Sequence, residues 1–330
     1  MSNTLYHVSV KGTGSYAPKR VVSNDDLAQI IDTSDEWIRT RTGIANRHIT
    51  ETENTSILAY QAAMNAIDAA KVNALDVELI IVATVSPDSF TPSTACIVQD
   101  LLGAKKAVAF DVNAACTGLV FGITIATQFI ENGVYKNALV IGAETLSKLL
   151  DWNDRSTCVL FGDGASAVYL EKSVDETGII DVVLHADGSK GSFLECKAMP
   201  IKNFLTESEQ GLQTQQHISM QGGEVFKFAV KTIFEGVREI LKRQNLSLAE
   251  IDYIIPHQAN IRIIESAAKL LKTDQNKFYV NLADYGNTSS ASIGIALDEL
   301  SRTGKLKKGQ KIILVGFGGG MTSGSLLLEW

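Results

Sequence analysis

Three segments of the first half of the chain recur in the same order in the second half, about 170 residues later. The matched pairs are LDVELIIVATVSP (75–87) with LAEIDYIIPHQAN (248–260), AVAFDVNAACTG (107–118) with FYVNLADYGNTS (278–289), and KNALVIGAE (136–144) with GQKIILVGFGG (309–319). Ordered matches at a nearly constant offset indicate an internal duplication. We therefore divide the chain into two halves, residues 1–174 and residues 175–330.

Short apolar segments alternate with helical patterns along the chain. ELIIVATV precedes the helical pattern PSTACIVQDLLGA, and AVAFDV and NALVIGAE flank a second helical pattern. This alternation predicts an α/β fold with largely parallel strands. A chain of 330 residues also exceeds what a single core usually needs, which fits two packed halves.

Polar residues follow three of the predicted strands. Cys116 follows AVAFDV, His257 follows DYIIP, and Asn287 follows FYVNL, which we interpret as a strand. In open α/β sheets, ligands bind outside the carboxyl ends of the strands. If the two halves pack around a pseudo-twofold axis, these three side chains converge on one cavity.

Composition excludes several function classes. The net charge of −7 argues against a nucleic-acid partner. No apolar run approaches the roughly 18 residues of a membrane span, and no signal-peptide pattern opens the chain, so we expect no membrane partner. Because the four cysteines are far apart and neither CxxC nor HExxH occurs, we expect no metal site and no disulfide framework. A reducing cytoplasm fits these features.

Cys116 is the candidate nucleophile. It lies between a strand and an apolar helical pattern, and a helix N-terminus lowers the pKa of a thiol. A lone cysteine is more often core packing, as we interpret Cys158, whereas Cys96 belongs to a helix and Cys196 to a polar stretch. That stretch, residues 189–217, is predicted to be a surface excursion.

Four other features each have an alternative structural interpretation. His257 alone is more often structural, and Asn287 could cap the following helix. The glycines at 318–320 permit backbone N–H groups to approach a ligand. GTGSYA (12–17) mimics a dinucleotide-binding loop, but Pro18 follows it directly and no helix starts at the glycines, so we reject that interpretation.

Motifs along the whole chain resemble those of the β-ketoacyl-[acyl-carrier-protein] synthase III family. They occur in the family's order: DTSDEWIRTRTGI (32–44), NAACTG (113–118), DRST (154–157), FGDGA (161–165), HADGS (185–189), GGEVFKFAV (222–230), PHQAN (256–260), YGNTSSAS (285–292) and FGGG (317–320). The resemblance implies the thiolase fold, a duplicated five-layered αβαβα architecture, in a homodimer.

The resemblance also implies a mechanism without a metal or redox cofactor. Cys116 resembles the family's acyl-accepting nucleophile, with the backbone N–H groups of Cys116 and Gly319 as oxyanion donors. His257 and Asn287 resemble the pair that stabilises the enolate formed when malonyl-[acyl-carrier-protein] loses CO₂. The product would be a 3-ketoacyl thioester on the carrier protein.

Other residues of this chain match, by their position in these motifs, the substrate-binding residues of the family. Trp37, Arg41 and Arg155 resemble the residues that hold the adenine end of coenzyme A, where one ring stacks and a guanidinium stacks or pairs with phosphate. The remaining matches are the pantetheine channel, which comprises Thr33, Gly222, Phe226, Ala259 and Asn260, and the basic docking patch for acyl carrier protein, which comprises Lys227, Arg262 and Lys269.

The segment SPDSFTPST resembles the family's loop that reaches across the dimer and closes the partner's acyl pocket. Many members that accept only short starters place a bulky residue before the proline, where this chain has Thr91 beside Phe90. We therefore predict that medium-length or branched acyl chains are accepted.

Related functions remain as alternatives. A starter synthase of a secondary-metabolite pathway would use the same three residues, and a non-catalytic acyl-carrier-binding partner would typically lose the nucleophile. A degradative thiolase would place a second cysteine after the C-terminal glycines, where Met321 stands, and an elongating synthase would have histidine at Asn287.

Overall fold

The computed structural model describes residues 7–173, 177–198 and 217–330. In chain order the elements are β1 (His7–Tyr16), β2 (Val21–Ser23), α1 (Asn24–Leu27), α2 (Asp35–Thr42), β3 (Asn46–His48), α3 (Thr55–Ala70), β4 (Leu79–Ala83), α4 (Thr94–Leu101), β5 (Val108–Val112), α5 (Gly118–Glu131), β6 (Asn137–Glu144), β7 (Gly164–Ser173), β8 (Gly178–Ala186), β9 (Leu194–Glu195), β10 (Ser219–Met220), α6 (Gly222–Gln244), β11 (Tyr253–Pro256), α7 (Ile261–Leu271), α8 (Leu282–Tyr285), α9 (Ser292–Arg302), β12 (Lys311–Gly318) and β13 (Thr322–Glu329).

Two sheets with the same strand order form the frame of the molecule. The first runs β1-β7-β6-β4-β5 and the second runs β8-β13-β12-β11. In both sheets two strands that carry repeated apolar segments pair in parallel, β4 with β6 and β11 with β12. The strands beyond β6 and β12 pair antiparallel, β7 and β1 in the first sheet and β13 and β8 in the second, whereas β5 at the other edge of the first sheet pairs parallel with β4. The predicted duplication is therefore confirmed as a repeated topology.

One predicted strand is wrong. FYVNL contributes only an isolated parallel bridge between Phe278 and Ile254, at the position that β5 occupies beside β4. The Gln258 side chain explains this difference, since its amide group donates to the Tyr279 carbonyl and accepts from the Asn281 N–H. These backbone groups are consequently bonded to a side chain, and the chain turns into α8.

Three apolar clusters separate five layers. Along β4, Ile80 and Val82 face α3 and α4, whereas Leu79 and Ile81 face α5. This alternation follows from the two-residue period of a strand that is buried on both faces. The central cluster packs α5 and α9 between the two sheets, and a third cluster packs α6 and α7 on the outer face of the second sheet. The αβαβα architecture is thus confirmed.

Each half inserts a short turn against the central strand of the other half. The cysteine turn (Ala115–Thr117) directly precedes α5, and the serine turn (Ser289–Ala291) directly precedes α9. A Cβ at Gly142 of β6 would lie 2.3 Å from the Ser290 carbonyl oxygen, and one at Gly316 of β12 would lie 3.0 Å from Thr117 Cα. The two glycines therefore allow the turns to meet at the centre of the molecule.

Some predictions fall beyond the described residues. The division at 174/175 lies within 174–176 and stays a prediction, and most of the polar excursion lies within 199–216. In the described part of that excursion, β9 pairs with β10. Within the described ranges, no helix has the length and apolar character needed to cross a membrane, and no cluster of three metal-binding side chains occurs.

Candidate active site

The three residues that follow the predicted strands line one cavity. Cys116, His257 and Asn287 surround a space of about 140 Å³, together with Phe317 and Gly318 of β12. Cys116 also lines a larger cleft of about 1210 Å³. The first half of the chain therefore contributes the thiol and the second half contributes the imidazole and the amide.

Cys116 lies in the cysteine turn, whose first residue, Ala115, has a left-handed backbone with φ of 47°. A Cβ at Gly318 would be 2.8 Å from the Cys116 nitrogen, so only glycine fits there. Burial raises the pKa of the Cys116 thiol to about 12, opposite to the lowering expected from its place before α5. The expectation fails because removing the thiolate from water destabilises it.

His257 is held as a neutral imidazole. Its backbone N–H donates to the Val315 carbonyl, and its ring meets the Phe317 ring edge-on at a centroid distance of 5.0 Å. Burial lowers the pKa of His257 to about 3. Its Nδ1 atom lies 2.6 Å from Ser292 Oγ, which leaves Nε2 as the ring nitrogen available for a ligand.

Asn287 is oriented by the backbone on both sides. Its N–H donates to the Leu160 carbonyl, and its carbonyl accepts from the Gly162 N–H. The side-chain Oδ1 accepts from the Ser289 N–H at 2.9 Å. The oxygen thus bonds to the first N–H of the serine turn, although Thr288 and not Asn287 is the N-cap residue of that turn. Within the described ranges the NH₂ group forms no hydrogen bond, so both of its donors are available.

The predicted oxyanion donors lie at the boundary between the cavity and the cleft. Gly319 lines the larger cleft together with Cys116. The next residue, Gly320, has φ of 72°, a conformation that favours glycine because it has no Cβ. This glycine turn joins β12 to β13 without a side chain that would cover Cys116.

The predicted coenzyme A residues lie near one another. The Arg41 and Arg155 guanidinium carbons are each 4.6 Å from the centroid of the Trp37 ring, and Arg155 Nη1 donates to the Asp32 carbonyl at 2.6 Å. The Thr33 hydroxyl is buried and has no hydrogen-bond partner within the described ranges.

The predicted pantetheine residues connect α2, the helix that carries Trp37 and Arg41, to the cavity. Gly222, Phe226, Ala259 and Asn260 all line the 140 Å³ cavity. Asn260 Nδ2 donates to the Arg41 carbonyl at 3.0 Å, while its Oδ1 caps α7 by accepting from the Arg262 N–H. Asn260 therefore lies between the cavity and α2.

The predicted docking residues are exposed on two packed helices. Arg262 and Lys269 are seven residues apart on α7, which places them on the same face. Lys227 lies on α6, which packs against α7, and its Nζ is 2.7 Å from Glu224 Oε1.

The two residues predicted for the acyl pocket differ in their surroundings. Phe90 is 83% exposed and lines the larger cleft, whereas Thr91 is exposed beside it and outside the cleft lining. Within one chain, neither side chain closes the cavity. Their role stays a prediction, because it requires a second subunit.

Two buried residues at the site were not predicted from the sequence. Glu144, at the end of β6, accepts a hydrogen bond from the Ser86 hydroxyl and lies 2.9 Å from Ser290 Oγ, and burial raises the pKa of its carboxyl group. Ser292 contacts the catalytic candidate His257. Ser292 belongs to the YGNTSSAS motif, but only the packing of α9 against β11 and β12 shows where its hydroxyl lies.

Comparisons with known proteins give consistent results over the whole chain. Residues 110–188 match the family described as 3-oxoacyl-[acyl-carrier-protein (ACP)] synthase III, and residues 241–330 match its C-terminal family. The chain is 53% identical over 327 residues to the β-ketoacyl-[acyl-carrier-protein] synthase III of Clostridium novyi, covering 99% of this chain and 100% of that protein. It is 54% identical to the one from Clostridium acetobutylicum, covering 98% of each.

Solved structures resemble the fold closely. The 3-oxoacyl-[acyl-carrier-protein] synthase III of Aquifex aeolicus has a TM-score of 0.91 at 44% identity, covering 98% of this chain and 100% of that one. The priming β-ketosynthase of the R1128 polyketide pathway also has a TM-score of 0.91, at 33% identity, covering 98% and 96%.

Proposed function

Since the chain belongs to the β-ketoacyl-[acyl-carrier-protein] synthase III family of condensing acyltransferases, which initiate fatty-acid synthesis, we propose that Cys116, His257 and Asn287 carry its two half-reactions. The observation that supports this most directly is the single cavity that these three side chains line from opposite halves of the chain.

In the first half-reaction an acyl-CoA acylates Cys116. The sulfur attacks the thioester carbonyl, the bond from that carbon to the CoA sulfur breaks, and the Cys116 proton ends on the departing CoA thiol. The N–H groups of Cys116 and Gly319 stabilise the tetrahedral oxyanion. Because burial keeps the thiol protonated before substrate binds, its proton must leave as the new bond forms.

In the second half-reaction malonyl-[acyl-carrier-protein] loses CO₂. The electron pair of the broken C–C bond forms an enolate, whose oxygen accepts hydrogen bonds from His257 Nε2–H and the Asn287 amide. The enolate carbon then attacks the acyl-Cys116 carbonyl and releases the cysteine sulfur, which regains a proton. No electrons pass to an external acceptor, so the proposal includes neither a redox cofactor nor a metal.

Coenzyme A and acyl carrier protein are the proposed partners. Trp37 with Arg41 and Arg155 suits a purine ring and its phosphates. Thr33, which we assign to the pantetheine channel, has a buried hydroxyl without a hydrogen-bond partner among the described residues. Exposed Lys227, Arg262 and Lys269 suit an acidic carrier protein despite the overall charge of −7. We propose no nucleic-acid or membrane partner, and a cytoplasmic location that keeps the four cysteines reduced.

A second copy of the chain is the remaining proposed partner. The first sheet ends at β5, where Val108 is half-exposed, and β5 pairs with β4 along one edge. An apolar edge strand of this kind favours pairing with another chain. A homodimer would also place the loop that carries Phe90 and Thr91 against the partner subunit.

A starter synthase of a secondary-metabolite pathway is the alternative, favoured by the likeness to the R1128 priming β-ketosynthase. Comparing turnover with fatty-acid and polyketide carrier proteins distinguishes the two functions. A non-catalytic carrier-binding partner is disfavoured, because all three catalytic candidates are present at one cavity.

Intact-protein mass spectrometry after incubation with a series of acyl-CoAs tests the nucleophile. We expect one added acyl group per chain, located on the peptide that contains Cys116. Cys116→Ala should abolish the label, whereas Cys158→Ala, at another buried cysteine, should retain it. A label on Cys158 or Cys196 would contradict the proposal.

A further inference from the structure

A buried serine hydroxyl lies against the catalytic imidazole. Ser292 Oγ is 2.6 Å from His257 Nδ1 and 3.3 Å from the backbone nitrogen of Gln258. Both Ser292 and His257 are 2% exposed. The mechanism proposed above does not use Ser292.

Counting protons at this hydroxyl determines its role. A serine hydroxyl has one proton to donate and two lone pairs to accept with. The Gln258 N–H can only donate, so it occupies one lone pair. Within the described ranges, the sole remaining hydrogen-bond partner of Ser292 Oγ is His257 Nδ1. The hydroxyl proton is therefore directed at Nδ1, which must accept it.

A neutral imidazole that accepts at Nδ1 has its proton on Nε2. The neutral form is the relevant one, since burial lowers the pKa of His257 to about 3. Nε2 is the nitrogen that the proposed mechanism assigns to the enolate oxygen. In the other tautomer a lone pair on Nε2 would face that oxygen and repel its growing negative charge.

We infer that Ser292 is a positioning residue that fixes His257 in the tautomer protonated on Nε2. This inference rests on the proposed function of His257 and adds the group that sets its proton. Ser292 is suited to the role because it is the first residue of α9, a helix packed between the two sheets. The Gln258 N–H additionally holds its oxygen in place.

The first test observes the tautomer directly. The protein is labelled with ¹⁵N-histidine, and the His257 signals are identified among those of the five histidines by their loss in His257→Ala. We expect coupling patterns of a neutral ring protonated on Nε2 between pH 6 and 8. A ring protonated on Nδ1 in the unmodified protein would overturn the inference, whether or not any variant folds.

The second test separates the half-reactions. Ser292→Ala should lower the turnover of malonyl-CoA decarboxylation by about 10- to 100-fold, as loss of an orienting partner typically does. It should change the rate of Cys116 acylation by less than about 2-fold. Ser292→Thr, which keeps a hydroxyl, should recover most of the decarboxylation and the Nε2-protonated pattern.

Ser290→Ala is the matched control, since it removes a buried hydroxyl from the adjoining serine turn that contacts Ala83 and Glu144 instead of His257. It should affect both half-reactions equally. An equal loss in Ser292→Ala would overturn the inference. Failure of the proposed function is distinguishable, because decarboxylation would then survive His257→Ala itself.

Discussion

At the scale of single residues, burial at the centre of the molecule disfavours the charged forms of its ionisable groups. Burial raises the pKa of Cys116 and of Glu144 and lowers that of His257. In the proposed mechanism, negative charge that develops on a substrate is therefore met by oriented N–H and NH₂ dipoles instead of full charges. Such preorganised dipoles stabilise a transition state without rearranging as the reaction proceeds.

Proton counting also favours a neutral Glu144. Ser290 Oγ lies 2.8 Å from the Ala83 carbonyl and 2.9 Å from Glu144 Oε1, yet the hydroxyl has one proton. If Glu144 is protonated, its O–H donates to Ser290 Oγ, and that hydroxyl donates to Ala83. Each group then has a partner, which is the arrangement that a buried site requires.

Replacing Glu144 should change how stability depends on pH. The folded-state pKa of Glu144 is raised above its unfolded value of 4.5, so the wild type loses stability as pH rises from about that value toward the folded pKa. Glu144→Gln cannot ionise, and its unfolding free energy relative to wild type should rise between pH 4.5 and 7.5. Urea unfolding at both pH values measures this change.

Glu239→Gln on the exposed face of α6 is the matched control for that measurement. A pH-independent difference for Glu144→Gln would show that the carboxyl group is ionised in the folded protein.

At the scale of elements, the GTGSYA segment serves close packing between a strand and a helix. Gly12 and Gly14 lie in β1, and a Cβ at Gly14 would be 2.3 Å from both the Ala62 carbonyl oxygen and the Ala66 nitrogen of α3. The alanines of α3 are also small, so the two backbones approach directly. The glycines are thus required by packing, which agrees with our rejection of a nucleotide-binding loop at this segment.

Gly14→Ala should therefore destabilise the fold. The added methyl group forces β1 and α3 apart, and overpacking of this kind typically costs about 1–3 kcal/mol. Thermal or urea unfolding measures the loss. Gly188→Ala, where a Cβ would meet nothing within 4 Å, is the control. Equal stability of the two variants would contradict this explanation.

The exposed face of α7 carries the proposed carrier-protein contact. Arg262→Glu should raise the KM for malonyl-[acyl-carrier-protein] on the order of 10-fold, since reversing one charge of an exposed pair costs about 1–2 kcal/mol. The KM for acyl-CoA should change little. Steady-state kinetics with each substrate varied in turn provides the comparison.

Lys308→Glu makes the same change of charge near the start of β12, at the end of the sheet opposite the active site. It should leave both KM values close to wild type. If Arg262→Glu affected both substrates equally, docking on α7 would be wrong.

At the scale of the whole molecule, the acyl pocket depends on the proposed dimer. Phe90 is exposed in a single chain, and in the proposed homodimer the loop from Ser86 to Pro92 would lie against the second subunit. A threonine before the proline would then leave space for several methylenes, each worth about 0.8 kcal/mol when buried. We therefore expect acyl-chain preference to depend on both chains.

We expect wild type to accept butyryl-, isobutyryl- and octanoyl-CoA besides acetyl-CoA, and Thr91→Phe to lower kcat/KM for the longer chains. Phe90→Ala tests whether the Phe90 ring, and not residue 91, limits the acyl pocket. If the ring does, Phe90→Ala should accept longer acyl chains than the wild type. A wild type restricted to acetyl-CoA and unaffected by Thr91→Phe would show that residue 91 does not limit the pocket.

The sequence by itself determined the duplicated frame and the convergence of Cys116 and His257, whereas Asn287 reaches the same cavity although FYVNL forms no strand. Strand periodicity and order are local properties, and the carboxyl ends of corresponding strands must meet once two similar halves pack together. The family motifs added residues whose positions agree with this geometry, such as Trp37 beside Arg41 and Arg155.

Only the tertiary structure decided the protonation and hydrogen bonding at the centre. FYVNL has a strand-like pattern, yet the Gln258 side chain takes its backbone partners. The position before α5 indicated an acidic thiol, yet burial raises the pKa of Cys116. The Ser292 hydroxyl reaches His257 from 35 residues away along the chain. Burial and hydrogen-bond direction depend on atoms that are far apart along the chain and meet only in the packed fold, so no local pattern encodes them.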